Sequence, residues 1–365
     1  MKIEIERERL LRPLSQVISV VEKRQTLPIL GNVYLKLDAG TLTLIGTDLE
    51  TEVITVIREV EGENGETTVT ARKMYDICRS LPEDASLTVK GQGDKMTVNS
   101  GRSRFTLQSL PSNDFPRLEA EDWDVEIEVG QDGLKQLLEK TAFAMAQQDV
   151  RYYLNGCLLE LGGSVLRAVA TDGHRLAKSE IELGKKAGES RQAIVPRKAV
   201  MELTRFLEVS GEAGIALSNN HLRVSAGNVT FTSKLIDGRF PDYSKVIPTS
   251  LSTHLLVERE GFYDILARAA ILTNEKFRGV RLKLQQGVMQ VSAHNPEQEE
   301  ASDEMAVEYD GSELEIGFNV GYLMDALRAL DTEQVDLGVQ DANSSCTINA
   351  PHDNATMYLV MPMRL

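Results

Sequence analysis

Asn32-Val33-Tyr34-Leu35-Lys36-Leu37 decides the fold, because the stretch returns twice: as Gly156-Cys157-Leu158-Leu159-Glu160-Leu161 and as Gly279-Val280-Arg281-Leu282-Lys283-Leu284. The copies lie about 124 residues apart. A turn and a second apolar run follow each one: Thr41-Leu42-Thr43-Leu44, Val165-Leu166-Arg167-Ala168 and Val288-Met289-Gln290-Val291. The same offset then leads to Asp48, Asp172 and Asn295. Each copy reads as a β-hairpin, and a self-similarity of this kind must be settled before any local assignment.

Working outward, an amphipathic helix precedes each hairpin, with apolar residues at helical spacing. Leu10, Pro13, Leu14 and Val17 define the first, Leu134, Leu137, Leu138 and Thr141 the second, and Phe262, Ile265, Leu266 and Ala269 the third. Pro13 is expected in a first turn or at a kink, because proline donates no backbone hydrogen bond. A second helix follows each hairpin region, opening at Arg72-Lys73, at Arg197-Lys198 and at Asn319. Gly101-Arg102-Ser103-Arg104-Phe105-Thr106 leads to Phe115-Pro116, and Gly227-Asn228-Val229-Thr230-Phe231-Thr232 leads to Phe240-Pro241. Both Phe-Pro pairs read as punctuation after an extended strand. The chain is thus predicted to be α+β, with domains at 1–121, 122–250 and 251–365. Polar and proline residues gather at those boundaries, near Glu121-Asp122 and Thr249–Ser252.

Composition agrees with a folded, multidomain protein. The chain has 365 residues, long for one core, and 42% of them are hydrophobic. Its three cysteines, Cys78, Cys157 and Cys346, are scattered and never form a C-x-x-C pair, so they read as small buried hydrophobes in a reducing compartment. No apolar run approaches the ~18 residues of a membrane span, and MKIEIERERL has no apolar signal core. A cytoplasmic location is expected. The net charge of −15 ordinarily argues against nucleic acid. A net charge is only a sum, however, and an acidic exterior can coexist with a basic stripe.

The repeated frame carries longer motifs. They are LPILGN at Leu27–Asn32, GTDLE at Gly46–Glu50, GRSRF at Gly101–Phe105, QDVRYYLNG at Gln148–Gly156 and ATDGHRLA at Ala170–Ala177. TSKLIDGRFPDY at Thr232–Tyr243, NEKFRGVRL at Asn274–Leu282, NPEQEEA at Asn295–Ala301 and the terminal MPMRL complete the set. End to end, the chain resembles the bacterial beta sliding clamp family, the processivity subunits of replicative DNA polymerase. The resemblance implies three tandem clamp domains, each with two helices packed on antiparallel sheets. It also implies a head-to-tail homodimer that closes as a six-domain ring with helices inside, a heterologous contact that terminates itself. Duplex DNA, the replicative polymerase, an ATP-dependent clamp loader, and other polymerases and repair proteins are the implied partners. No cofactor, metal or membrane is implied.

A clamp must hold DNA and still move, which favours loose phosphate contacts over base readout. The helices offer Arg7, Arg9, Arg12, Arg72, Lys73 and Arg79, then Lys135, Lys140, Arg197, Lys198 and Arg205, with Arg268 and Arg328 in the third repeat. The resemblance adds Arg24, Gln148, Tyr152 and Tyr153 as DNA contacts, with ordinary packing the alternative for the two tyrosines. It also implies a cleft for short peptides rich in Gln, Leu and Phe. One wall would hold Leu154, Thr171, Gly173, His174, Arg175, Leu176, Pro241, Lys245 and Val246. The other would hold Asn319, Tyr322, Ser345, Leu359, Val360, Met361, Pro362, Met363 and Arg364. Methionines and aliphatics give such a groove adaptability. Lys245 and Asn343 depart from the family's usual arginine and aliphatic, which alters the expected rim. The implied subunit contact sets Ile77, Leu81, Arg102, Arg104 and Phe105 against Ile271, Leu272, Glu297, Glu299 and Glu300, a basic motif facing an acidic one.

The competing class is a hydrolase centred on Asp172 and His174, since Asp and His can perform acid–base chemistry. No G-x-S-x-G, H-E-x-x-H, Walker or G-x-G-x-x-G motif accompanies them. Asp172 also occupies the position held by Asp48 and Asn295 in the other copies, where a turn or cap is the simpler role.

Overall fold

The computed structural model describes residues 1–22, 27–118, 122–184, 190–248, 251 and 253–364. The candidate DNA contact Arg24 lies outside them, as do Glu121, Thr249, Ser250 and Ser252 of the expected boundaries. The predicted hairpins form in register. Asn32–Asp38 pairs with Thr41–Thr47, Gly156–Gly162 with Val165–Thr171, and Gly279–Gln285 with Val288–His294.

Among the described residues six α-helices accompany them: α1 (Arg7–Ile18), α2 (Ala71–Ser80), α3 (Gln131–Ala142), α4 (Arg197–Phe206), α5 (Arg259–Ala270) and α6 (Val320–Arg328). α1, α3 and α5 bury the faces anticipated from their spacing, whereas α2 buries Ala71, Met74 and Cys78 and leaves Tyr75 and Ile77 half-buried. Leu10, Leu14 and Val17 of α1 are at most 2% exposed, and Phe262 and Leu266 of α5 are fully buried. Side chains of this size contribute roughly 1.5–3 kcal/mol apiece. Pro13 stands past the first turn of α1, where its ring is buried with that apolar face. Burial offsets the hydrogen bond its nitrogen cannot donate. Capping is explicit in the third repeat. Glu258 accepts from the Glu260 and Gly261 amides, and Asn319 accepts from Gly321 N (2.9 Å) and Tyr322 N (3.3 Å). At Gly46 the helix lies so close that a Cβ would meet Val17 O at 2.5 Å, so only glycine fits there.

The described residues fall into two compact units. The first comprises Met1–Lys135 with Lys198–Leu235, and the second Gln136–Arg197 with Ile236–Leu365. The middle repeat therefore contributes to both. In the first unit, its strands Val125–Gly130, Glu212–Leu217, His221–Ala226 and Val229–Lys234 extend the first repeat's sheet to thirteen strands. The join is Val229–Lys234 against Thr51–Ile57, with Phe231 opposite Val53. In the second unit, Arg175–Glu182 pairs with Met357–Val360, placing Leu176 opposite Leu359 inside an eight-stranded sheet. A separate four-stranded sheet holds the third repeat's hairpin. Among the described residues, no helix is long and apolar enough to cross a membrane, and no group of three potential metal ligands gathers.

Candidate functional site

The shared turn after each hairpin builds the site's rim. In the first repeat Asp48 Oδ1 accepts from Glu50 N (3.0 Å) and Thr51 N (2.6 Å), while Thr47 Oγ1 donates to Thr51 O (2.8 Å). In the second, Asp172 Oδ1 accepts from His174 N (2.9 Å) and Arg175 N (3.0 Å), and Thr171 Oγ1 donates to Arg175 O (2.6 Å). Asn295 Oδ1 accepts from Glu299 N at 2.9 Å. The aspartate is therefore a turn cap, as its recurrence suggests. Its other oxygen pairs with Arg175 Nε (3.1 Å), and the His174 ring stacks on Tyr322 with centroids 6.3 Å apart. These commitments give the hydrolase reading no support.

Arg175, expected on the cleft wall, is chiefly a strut. Besides Asp172 it donates Nη1 to Asp325 Oδ2 (2.6 Å) and Nη2 to Phe143 O (2.7 Å). Its guanidinium lies 4.6 Å from the Tyr322 ring centre and 5.3 Å from that of Phe143. Burial pushes the Tyr322 hydroxyl above its ordinary pKa, and the nearby Asp172 carboxylate adds to the effect.

Beneath this rim, Leu154, Leu176 and Leu359 join Ala146, Leu158, Val169, Ile194 and Phe240 in one buried cluster. Tyr153, Ile236, Tyr243 and Met361 pack against it while still partly exposed. The cleft residues therefore divide. Leu154, Leu176, Leu359 and Val360 are buried, each at most 3% exposed. His174, Pro241, Lys245, Val246 and Arg364 are exposed, and Thr171, Gly173, Tyr322, Ser345, Met361, Pro362 and Met363 are half-buried. Asn319 serves first as the α6 cap and donates Nδ2 to Phe277 O (3.1 Å). Tyr153 packs against the cluster while partly exposed, whereas Tyr152 is 57% exposed. Lys245 pairs with Asp242 at 3.2 Å, a surface contact, and Asn343 is exposed.

Tyr243, Glu160 and Arg167 stand in the quoted motif and hairpin but were not among the candidate site residues. Tyr243 donates its hydroxyl to Glu160 Oε2 (2.7 Å), while Arg167 reaches the Tyr243 oxygen (3.2 Å), Glu160 (2.7 Å) and Glu180 (2.8 Å). Burial raises the Glu160 pKa, but hydrogen bonds from Tyr243, Gln192 and Arg167 outweigh it and hold the carboxyl below its usual range. The available signal was Glu160 itself, the lone charge in the strand Gly156–Gly162.

The candidate DNA residues part company. A groove in the first unit brings Arg72, Lys198 and Arg205 together with Tyr75, Ser15 and Ser19. Lys73 and Arg79 are exposed on α2 and, among the described residues, have no ion-pair partner. Lys198 is held by Glu22 and Asp48, and Arg205 by Glu202. Burial depresses the Lys198 pKa, yet those two carboxylates raise it overall. Arg197 points inward, donating Nη1 to Ala142 O (3.3 Å) and Met145 O (3.2 Å), so it ties α4 to the end of α3. Arg7 and Arg9 likewise serve backbone carbonyls, including Cys78 O and Arg58 O. In the third repeat Arg268 pairs with Asp303 and Arg328 with Asp325. Gln148 is exposed at φ +56° beside Asp149, which two charged bonds tie to Arg151.

Family models match the chain in sequence order. The DNA polymerase III beta subunit N-terminal domain covers residues 1–119, the central domain 128–242 and the C-terminal domain 244–364. The chain belongs to the DNA polymerase III beta subunit family. Curated beta sliding clamps from Pseudomonas aeruginosa and Escherichia coli (strain K12) are each 49% identical to it, covering all of both chains. A crystal structure of the DNA polymerase sliding clamp from Pseudomonas aeruginosa superposes with a TM-score of 0.98 at 48% identity over both full lengths. The sliding clamp of Caulobacter crescentus gives 0.94 at 36%, again over both full lengths. Another Pseudomonas aeruginosa clamp structure is bound to griselimycin. The three tandem beta-clamp domains implied by the resemblance are therefore present.

Proposed function

We propose that two copies of this sliding clamp chain join head to tail as a six-domain ring around duplex DNA. The ring would tether the replicative polymerase, and other replication and repair proteins, through short peptides in the cleft above Leu154, Leu176 and Leu359. Domain limits at 1–121, 122–250 and 251–365 give each ring segment one hairpin repeat. The chain itself performs no catalysis, and an ATP-dependent loader opens the ring.

The observation that carries this reading is a pair of open sheet edges with opposite charge. In the strand Ser103–Leu110, residues 103–108 have a ladder partner on one side only among the described residues. They carry Arg104 and Phe105, with Arg102 just before. The strand Glu300–Ala306 is likewise paired only with Val288–His294, and follows Glu297 and Glu299. Proteins rarely leave such edges free, because they template pairing with another chain. A basic edge in the first repeat and an acidic one in the third suit a heterologous contact that closes. Half-buried Ile77 and Leu81 would face Leu272 and Ile271, which is 77% exposed.

Within the ring, Arg72, Lys73, Arg79 and Arg205 would meet phosphates, with Gln148 and Tyr152 as further contacts. Acidic surfaces elsewhere would disfavour side-on binding. Retention would then depend on topology. The test loads the protein onto a nicked circular plasmid with a clamp loader and ATP, then linearises the isolated complex. Release on cutting supports encirclement, whereas retention on linear DNA would refute it.

A further inference from the structure

The C-terminal residues form a ridge with different surroundings on either side. Met361 is anchored through its amide to His174 O (2.9 Å) and packs against the cluster under the cleft. Met363 is anchored to Gly317 O (2.9 Å) and, with Arg364, borders a separate pocket of about 400 Å3 in the third repeat. That pocket's other walls include Asn274, Phe277, Arg281, Ser292, His294 and Pro296. Phe277 is 56% exposed, so an apolar surface stands open to a ligand.

The polar chemistry of the pocket is one-sided. Among the described residues that line it there is no Asp or Glu, in a chain whose net charge is −15. Arg281 spends Nη1 on Glu315 (2.8 Å) but encloses Nε without an acceptor among the described residues. The rest of the Arg281 side chain is 36% exposed and lines the pocket, so its guanidinium can give a second carboxylate a charge-assisted bond. The Lys276 ammonium lies 5.3 Å from the ring centre of Phe277, one of the pocket's walls, and brings a further positive charge near it.

We propose that this pocket receives an acidic side chain, with an apolar neighbour, from the same linear peptide whose Gln-, Leu- and Phe-rich segment fills the cleft. The inference rests on the cleft reading given above. The tail ridge is shared by both sites, so a peptide crossing it at Met363 engages them with one chain, and the second contact adds selectivity without a second binding event. Partners with an acidic residue beside the cleft segment would outcompete those without one.

The experiment measures fluorescence anisotropy of labelled peptides on the full chain at low salt. One peptide is the Gln-, Leu- and Phe-rich core alone. Others extend it, at either end, with an Asp-Phe or an Asn-Phe pair. We expect one Asp-Phe extension to bind roughly fivefold tighter than its Asn-Phe counterpart, with the gain shrinking as salt rises. Arg281→Gln, and independently His294→Gln should the first variant fold poorly, should lessen that gain and leave the core peptide's affinity unchanged. If the core peptide binds but Asp and Asn extensions bind equally, the pocket proposal is overturned and the cleft reading stands. A gain that persists in both variants overturns it as well. If the core peptide fails to bind, the cleft reading falls and this inference falls with it.

Discussion

Replacing Arg175 by methionine tests whether the turn capped by Asp172 is held by the strut described above. The arginine side chain is 12% exposed and makes charged bonds to Asp172 and Asp325 and one bond to Phe143 O. Hydrogen bonds to charged groups contribute about 1.5–3 kcal/mol each, and the contacts with two rings add somewhat more. These terms are not additive, and Asp325 at 35% exposure regains much of its solvation. Methionine also restores apolar contact with Phe143 and Tyr322. A net loss of about 3 kcal/mol remains, a melting-temperature drop of roughly 8 °C for a unit of this size. Because the chain has two units, a global melt blurs the effect, and hydrogen exchange reads it locally. Faster exchange at the amides of residues 173–175 and in α6, with the first unit unchanged, is the expected pattern. Arg175→Lys should fall between wild type and methionine, since a point charge cannot reproduce the fork. A shift under about 2 °C with unchanged exchange would refute the strut.

Other expectations follow from the same geometry. Phe105→Asp should convert the dimer to monomers by sedimentation; an unchanged dimer would count against the open-edge contact. Tyr243→Phe removes the bond to Glu160, and roughly a two- to fivefold loss of core-peptide affinity with unchanged melting would mark it as positioning the Pro241–Val246 wall. Hydrogen bonds from the Arg151 side chain and amide hold the Asp149 carboxyl down to about 2. A depressed carboxyl contributes its stability above the unfolded value near 4 and loses it as pH falls toward 2. Carboxyl NMR should therefore place its midpoint near 2, returning toward the ordinary range in Arg151→Ala. Burial pushes Cys78, Cys157 and Cys346 up to about 12 each. A thiol reagent should find none of them in the native protein and all three in denaturant.

The repeat was legible because each hairpin and helix is specified locally, by alternation within a strand and by i, i+3, i+4 spacing on a helix. Asp172 was legible for the same reason, since a side-chain oxygen that caps amides two and three residues on is a local device. What local pattern could not show is where a charge is spent. Arg197 and Lys198 open a helix side by side, yet one serves carbonyls at the end of α3 and the other is held by Glu22 and Asp48. Both partners are distant in sequence. Phe240 reads as punctuation before a proline, but it is 7% exposed and belongs to the buried cluster of Leu154, Leu176 and Leu359. The strand pairings that divide the middle repeat were hidden likewise, because Thr51–Ile57 and Met357–Val360 carry nothing in their own sequences that names Val229–Lys234 or Arg175–Glu182 as partner. Sheet continuity across repeats has a functional consequence. The tail residues Leu359–Met361 are fixed by main-chain pairing to the turn that presents His174, which holds Leu176 and Leu359 within the second unit's sheet beneath the proposed peptide site. A peptide docking at the proposed site would meet residues already held by main-chain pairing, so the cost of ordering would fall on the peptide rather than on the clamp.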